Sequence, residues 1–230
     1  MIEIGAGLGS LTVALAAAGA GVVAVEFDRS VVPALREVVA ETPGVWVEEG
    51  DAMRLDWTRV LGRGVDPWVM CANLPYNIAT PLVLDVLTDV ARVERLVVMV
   101  QREVGERLVA RPGDEAFGAV SLRVAYRASG SIVRRVRPDV FWPRPKIESV
   151  VVRLDRLDEP PVRADGRRLW PLIDEAFAQR RKTMRNALRR LGLAPGDADA
   201  ALEAAGVAPS ARPESLSLLD FARVADALPA

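Results

Sequence analysis

Short apolar runs alternate with helical patterns over the first hundred residues, and this alternation constrains the fold of the 230-residue chain more than any other feature. Such alternation is typical of βαβ units, in which parallel strands form one sheet. The pattern therefore predicts an α/β fold that binds its ligand at the edge of a parallel sheet. The predicted strands are 1–4, 22–26, 45–48, 68–72 and 96–101, and the predicted helices are 9–18, 30–41 and 80–90.

The rest of the chain divides at Asp158-Glu159-Pro160-Pro161, a polar, proline-rich linker. Before it we predict helices at 102–111 and 116–127 and strands at 132–136 and 149–154. After it we predict only helices, at 168–178, 180–191, 196–205 and 217–227. We therefore expect a nucleotide-binding core over 1–157 and a small helical domain over 158–230.

Composition excludes several classes of protein. Half of the residues are hydrophobic, yet no apolar run is long enough to cross a bilayer and no signal peptide begins the chain, so we expect a cytoplasmic protein without a membrane partner. A single cysteine argues against a disulfide framework. The absence of histidine removes the commonest general base and metal ligand, and we expect no metal site.

Positive charge is concentrated in the middle of the chain. The formal net charge is −1, but residues 1–122 carry 10 basic and 17 acidic side chains, residues 123–190 carry 18 and 8, and residues 191–230 carry 2 and 6. A basic segment on an acidic body indicates a phosphate-bearing partner, although a solvated basic surface would give the same counts.

Polar or glycine-rich groups follow each of the first four predicted strands. The glycine-rich turn Gly5-Ala6-Gly7-Leu8-Gly9 has the spacing G-x-G-x-G, not the dinucleotide fingerprint G-x-G-x-x-G. Glu26 ends the second strand, and Asp51 and Asn73 follow the third and fourth strands. Because the carboxyl ends of parallel strands meet in one crevice, we expect these groups to bind a ligand with a ribose and an adenine. Asp51 could instead cap a helix.

The stretch Asn73-Leu74-Pro75-Tyr76 could be an ordinary turn after the fourth strand. In this setting it resembles the N-[LIP]-P-Y signature of class I S-adenosylmethionine-dependent methyltransferases that act on an exocyclic amino nitrogen. The Asn73 carboxamide and the Leu74 carbonyl would accept the amino hydrogens and localise the nitrogen lone pair, with Pro75 holding Leu74 extended. Tyr76 would stack on the extruded base. A methylated amino nitrogen loses its proton readily, so no strong base is needed.

Three further stretches extend the resemblance: QREV at 101–104, FWPRPKIES at 141–149 and FAQRRKTMRN at 177–186. Together with EIGAGLGSLT and NLPYN, they resemble the ribosomal RNA adenine N6,N6-dimethyltransferases over essentially the whole chain. The resemblance implies a Rossmann-like class I methyltransferase sheet, a small C-terminal helical RNA-binding domain and S-adenosylmethionine as cofactor. It also implies a monomer that dimethylates two adjacent adenines in a hairpin near the 3′ end of 16S rRNA, within the immature 30S subunit.

The resemblance assigns roles to single residues. The implied cofactor-binding residues are Gly5, Gly7, Glu26, Asp51, Ala52 and Asn73. The residues implied to hold the target adenine are Asn73, Leu74, Tyr76 and Phe141. The residues implied to contact RNA are Arg144, Lys146, Arg180, Arg181, Lys182 and Arg185. A core aromatic is the alternative for Phe141, and a solvated helix start is the alternative for 180–182. Pro143 and Pro145 would stiffen the loop after Phe141.

Family members usually carry a segment with a Q-N-F-L-like motif before the glycine turn. This chain starts at Met1, inside the first predicted strand, and we interpret it as shortened. We therefore expect weak binding of S-adenosylmethionine by the chain as given.

Three alternatives remain. The first is 23S rRNA adenine methylation of the macrolide-resistance type, which the 177–186 motif and the leucine of NLPY disfavour. The second is a non-catalytic assembly factor of the small subunit. The third is a nicotinamide-dependent oxidoreductase, which the glycine spacing disfavours.

Overall fold

A mixed sheet organises the first part of the chain. The computed structural model describes residues 1–64, 67–142, 144–179 and 181–229. Its strands are β1 (Ile2–Ile4), β2 (Val22–Glu26), β3 (Val45–Glu49), β4 (Trp68–Asn73), β5 (Val93–Gln101), β6 (Ala128–Val136) and β7 (Ser149–Arg156). Their order is β3-β2-β1-β4-β5-β7-β6, and β7 runs antiparallel to β5 and β6. The predicted Rossmann-like methyltransferase sheet is confirmed.

Helices connect these strands and form the rest of the chain. They are α1 (Ser10–Ala17), α2 (Val32–Val38), α3 (Trp57–Leu61), α4 (Ala79–Asp89), α5 (Arg102–Val109), α6 (Ala119–Ala125), α7 (Gly166–Ala178), α8 (Met184–Arg190), α9 (Pro195–Ala204) and α10 (Leu218–Asp226). Short 3₁₀ helices occupy Ala52–Arg54, Pro138–Val140 and Pro213–Ser215. No helix in the described part of the chain is long and apolar enough to cross a membrane.

Two differences from the predicted helices bear on the site. The structure contains α3, which we did not predict. The helix predicted over 180–191 begins only at Met184, so Arg181 and Lys182 precede it. Arg180 and Pro143 lie outside the described residues.

Burial alternates along β4, as expected for a strand whose two faces differ in how closely they are covered. Trp68, Met70 and Ala72 are buried, whereas Asn73 at its end is exposed. The chain reverses its direction of winding between β1 and β4, since β2 and β3 lie on one side of β1 while β4 and β5 lie on the other. In open α/β sheets ligands bind outside the carboxyl ends of the strands at such a switch point. The fold therefore directs attention to the ends of β1, β2 and β4.

The chain forms two units, and their division differs from the single boundary that we predicted at residue 157. One unit contains Met1–Gly105 and Ala128–Arg156, and the other contains Glu106–Arg127 and Leu157–Ala230. The correction is that the segment around α6 belongs with the C-terminal helices. Its physical reason is apolar packing, because the buried ring of Phe117 lies edge-on to Phe177 of α7, with ring centroids 5.9 Å apart.

Candidate active site

The glycine turn after β1 is held against the end of β2. The N–H groups of Gly5 and Ala6 both donate to the Val25 carbonyl, at 2.9 and 3.1 Å. Gly5 has φ +73°, a left-handed conformation that L side chains rarely adopt. A Cβ there would lie 3.6 Å from Pro75 Cδ and 3.7 Å from the Asn73 carbonyl oxygen. The turn therefore lies directly beside the Asn73-Leu74-Pro75-Tyr76 segment.

The carboxylate of Glu26 is fixed by backbone donors. Gly7 N–H donates to one carboxylate oxygen at 2.7 Å, and Asp28 N–H donates to the other at 2.8 Å. A carboxylate can accept about four hydrogen bonds, so acceptor capacity remains on both oxygens. Glu26 is therefore oriented without being saturated.

A cavity of about 360 Å³ lies at this edge of the sheet. Its lining residues are Ile4, Gly5, Val25, Glu26, Phe27, Gly50, Asp51, Ala52, Met53, Pro75, Asn77 and Ile78. We call it the glycine-turn cavity. Its volume falls in the range of small-molecule sites, and its mostly apolar wall with two carboxylates suits a nucleoside that presents hydroxyl and amino groups. S-Adenosylmethionine has these groups, and the residues present fit it.

The position of Asp51 is compatible with both of the purposes considered for it. Its carboxylate accepts a hydrogen bond from Met53 N–H at 3.0 Å and so caps the 3₁₀ helix Ala52–Arg54. It also lines the glycine-turn cavity. The N-cap alternative and a ligand-binding role are therefore compatible.

A buried carboxyl group supports the turn from below. The Glu3 side chain is 1% exposed and accepts a hydrogen bond from the Thr12 hydroxyl of α1 at 2.6 Å. Burial raises the pKa of Glu3 from an ordinary 4.5 to about 7; the Thr12 bond opposes this shift and the nearby charge of Glu26 adds to it. Glu3 ties β1 to α1, the two elements that the glycine turn connects.

A second cavity of about 280 Å³ adjoins the first. Its lining residues are Asn73, Leu74, Pro75, Tyr76, Phe141, Trp142 and Pro145. We call it the aromatic cavity. Pro75 lines both cavities, so a ligand in one is next to a ligand in the other.

Two residues that line the aromatic cavity each have an acceptor group without a hydrogen-bond partner among the described residues. No hydrogen bond between described residues involves the Asn73 carboxamide, which is exposed, or has the Leu74 carbonyl oxygen as its acceptor. Leu74 itself is buried, and its N–H donates to the Met99 carbonyl at 3.1 Å. The Pro75 carbonyl accepts from the N–H groups of Ile78 and Ala79. These bonds hold the segment in place and leave the two acceptors available.

Comparison with known proteins identifies the family. The model of the ribosomal RNA adenine dimethylase family matches residues 1–229. The chain belongs to this family. The small subunit rRNA methyltransferase A of Acidothermus cellulolyticus is 42% identical over 228 residues, which cover 99% of this chain and 79% of that protein. Its counterpart in Thermobifida fusca is 41% identical over 100% of this chain and 80% of that protein.

A solved structure agrees with this dimethylase assignment at the level of fold. A dimethyladenosine transferase from Plasmodium falciparum superimposes with a TM-score of 0.78 at 23% identity, over 97% of this chain and 87% of that one. The predicted family and the predicted enzyme class, an rRNA adenine methyltransferase, are both confirmed.

The structure divides most of the predicted site residues of this dimethylase between the two cavities. Gly5, Glu26, Asp51 and Ala52 line the glycine-turn cavity, and Asn73, Leu74, Tyr76 and Phe141 line the aromatic cavity. Gly7 lines neither and acts through its bond to Glu26. Asn73, which we expected to face both ligands, lines the aromatic cavity and is not among the described residues that line the glycine-turn cavity, although its backbone oxygen lies close to Gly5.

Several lining residues were not predicted, and three of them are exposed and apolar. Phe27 and Met53 are exposed apolar residues that line the glycine-turn cavity, and Trp142, which is 97% exposed, lines the aromatic cavity. Phe27 directly follows Glu26, and Trp142 directly follows Phe141. Adjacency to a predicted site residue was the available signal.

The predicted RNA-binding residues differ in their exposure and in whether an acidic side chain pairs with them. Arg144, Lys146 and Arg181 are exposed. Arg185 is held by Asp199 through two hydrogen bonds of 2.5 and 2.7 Å. In the helical unit, Lys182 lines a cavity of about 380 Å³ together with Gln179, Asn186, Arg189 and Arg190.

Proposed function

We propose that this enzyme transfers methyl groups from S-adenosylmethionine to N6 of two adjacent adenines in a hairpin near the 3′ end of 16S rRNA, in the immature 30S subunit. The observation that carries the proposal is that Asn73 and Leu74, whose carboxamide and carbonyl oxygen have no partner among the described residues, line one cavity with the aromatic side chains of Tyr76, Phe141 and Trp142. Family membership supports the substrate class. Because the substrate is ribosomal RNA, we place the activity in the cytoplasm.

The residues of the glycine-turn cavity would hold the cofactor. Glu26 would accept the ribose hydroxyls, Asp51 would accept from the adenine amino group, and Gly5 would let the backbone approach closely. When bound, S-adenosylmethionine supplies an electrophilic methyl group on a sulfonium. The shared residue Pro75 supports delivery of this group toward the aromatic cavity.

The residues of the aromatic cavity would prepare the nucleophile. The Asn73 carboxamide oxygen and the Leu74 carbonyl would accept the two hydrogens of the adenine amino group, which localises the lone pair on N6. Tyr76 and Phe141 would hold the unstacked base between aromatic faces. After transfer the nitrogen is acidic and loses a proton to water, which suits a chain without histidine.

Contacts to the RNA backbone would come from side chains without protein partners. Lys182 and Arg189 line the basic cavity of the helical unit, and no ion pair joins either to a described residue. We infer that they bind phosphate more readily than Arg185, whose charge Asp199 already neutralises. Such contacts position RNA without reading its sequence.

The test is methylation of small subunits that lack the modification, with a radiolabelled methyl donor and primer extension to map the product. We expect label on two adjacent adenines of 16S rRNA. Label on 23S rRNA instead would indicate the resistance type of methyltransferase. RNA binding without transfer, under conditions in which the cofactor is bound, would indicate an assembly factor.

A further inference from the structure

The edge strand β6 carries two adjacent arginines that have no role in the site described above. β6 is the last strand in the sheet, and a register shift between Ile132 and Arg134 interrupts its pairing with β7. Arg134 and Arg135 resume the pairing, opposite Val151 and Val150. Both arginines are exposed.

The register of the sheet places Arg134 in line with Asn73. Asn73 pairs with Met99 of β5, Met99 pairs with Val151 of β7, and Val151 pairs with Arg134. Paired residues of neighbouring strands project from the same face. Three strand spacings of about 4.8 Å separate the ends of this row by roughly 14 Å. Arg134 therefore shares a face with Asn73, whereas Arg135 projects from the opposite face.

The charge of these two arginines is uncompensated. Elsewhere in the sheet, Arg95 and Arg153 both pair with Asp155, at 2.5 and 2.7 Å. In the part of the chain that the structure describes, no ion pair or side-chain hydrogen bond reaches Arg134 or Arg135. The edge of the sheet thus presents two guanidinium groups to solvent.

A guanidinium group matches the geometry of a phosphodiester and binds it through two parallel hydrogen bonds. A stacked strand advances about 3.4 Å per nucleotide, so a row of roughly 14 Å corresponds to about four nucleotides. We propose that Arg134 binds the backbone of the RNA strand that carries the target adenine, a few nucleotides from the base at Asn73, while Arg135 adds positive charge at the same edge without a contact of its own. This inference rests on the proposed function.

The experiment measures the affinity of the full chain for a labelled RNA hairpin with two adjacent adenines, as a function of salt. The variant is Arg134→Glu with Arg135→Glu. The matched control is Arg36→Glu, because Arg36 is exposed on α2, which packs on β3 at the opposite edge, and has no described ion pair. We expect about tenfold weaker binding for the double variant and a salt slope reduced by about 0.7, the value for one lost single-strand phosphate contact at Arg134. Arg36→Glu should match the unaltered chain.

Single variants sharpen the test, since Arg134→Glu should weaken binding more than Arg135→Glu. Unchanged affinity and salt slope in the double variant would overturn the proposal. So would aggregation with unchanged affinity in the remaining monomer, because charged edge strands also prevent sheets from pairing. If charge reversal impairs folding, Arg134→Gln with Arg135→Gln gives the same readout. Absence of RNA binding by the unaltered chain would overturn both this inference and the proposed function.

Discussion

The glycine-turn cavity and the aromatic cavity share Pro75 but differ in how far their polar groups are already held. In the first cavity both oxygens of Glu26 accept backbone N–H groups, and Asp51 accepts another. In the second, the Asn73 carboxamide and the Leu74 carbonyl have no partner among the described residues. One cavity is preorganised, and the other presents free acceptors.

This difference suits the ligand proposed for each cavity. A flexible cofactor binds more tightly when the protein groups that meet it are already ordered, because less entropy is lost on binding. A free carboxamide at the exposed Asn73 costs little, since water satisfies it until a ligand arrives. The adenine amino group would then replace that water with the two hydrogen bonds that the chemistry needs.

The largest effect is expected from Asn73→Ala, which removes an acceptor at the reacting nitrogen. Loss of one polar group that contacts the reacting atoms typically lowers the rate by about 10²–10³. Affinity for S-adenosylmethionine should not change, because Asn73 is not among the described residues that line the glycine-turn cavity. Single-turnover methylation and isothermal titration measure the two quantities. Asn73→Asp, which keeps an acceptor oxygen, should retain more activity. Loss of cofactor affinity in Asn73→Ala would break the division between the cavities.

Glu26→Ala should weaken the binding of the cofactor and leave the rate of methyl transfer nearly unchanged. Two hydrogen bonds to a carboxylate, at about 1.5 kcal/mol each, amount to roughly a hundredfold in the Kd for the cofactor. The rate at saturating cofactor should change much less. Titration calorimetry gives the Kd, and Glu26→Gln, which keeps one acceptor oxygen, should lose less. A variant that binds the cofactor normally but fails in transfer would contradict the role proposed for Glu26.

Tyr76→Ala should weaken the binding of the RNA substrate rather than the binding of the cofactor. Stacking of a base on an aromatic side chain contributes about 1–3 kcal/mol, so we expect roughly a tenfold higher KM for RNA. Tyr76→Phe keeps the ring and should behave like the unaltered chain. Steady-state kinetics at saturating cofactor separate the two variants. Equal loss in both would show that the hydroxyl matters, and the stacking role would be wrong.

Much of the sheet could be predicted because buried parallel strands are continuous apolar runs. Val22–Glu26 has the predicted bounds for this reason. α3 was missed because Trp57–Leu61 is too short to show helical periodicity. β6 begins at Ala128 rather than 132 because its polar start, on an edge strand, lacks the pattern of a buried strand.

The site could be predicted in part, because topology alone brings the ends of successive parallel strands together. This rule placed Glu26 and Asp51 in one cavity. It could not separate Asn73 from them, since that depends on how the segment around Phe141 folds. Nor could it reveal that Arg185 is neutralised by Asp199, because a pairing between α8 and α9 leaves no trace in the motif.

The smallest effect is expected from Glu3→Gln. This variant tests whether the buried Glu3 side chain, which links β1 to α1, is as well ordered as the glycine turn itself. Glu3 has a pKa of about 7 in the folded chain against an ordinary 4.5, so the folded state binds this proton more tightly than the unfolded state. The stabilisation is therefore fully present below about pH 4.5 and is lost as the pH rises through about 7. Glu3→Gln has no such proton, so its Tm should fall less than that of the unaltered chain between these limits.

Comparing the two chains at each pH cancels groups that titrate identically in both, so the difference in Tm reports on Glu3. The glutamine amide can still accept the Thr12 hydrogen bond, which keeps the link between β1 and α1. Thr12→Val, which removes that bond without removing the titrating group, serves as the control and should lower the Tm while keeping a pH dependence, which extends to higher pH because the bond that lowers the pKa of Glu3 is lost. Parallel Tm profiles for Glu3→Gln and the unaltered chain would mean that Glu3 is solvated in the folded state. The link between β1 and α1 would then be mobile. The glycine-turn cavity would in that case be less preorganised than its backbone hydrogen bonds indicate.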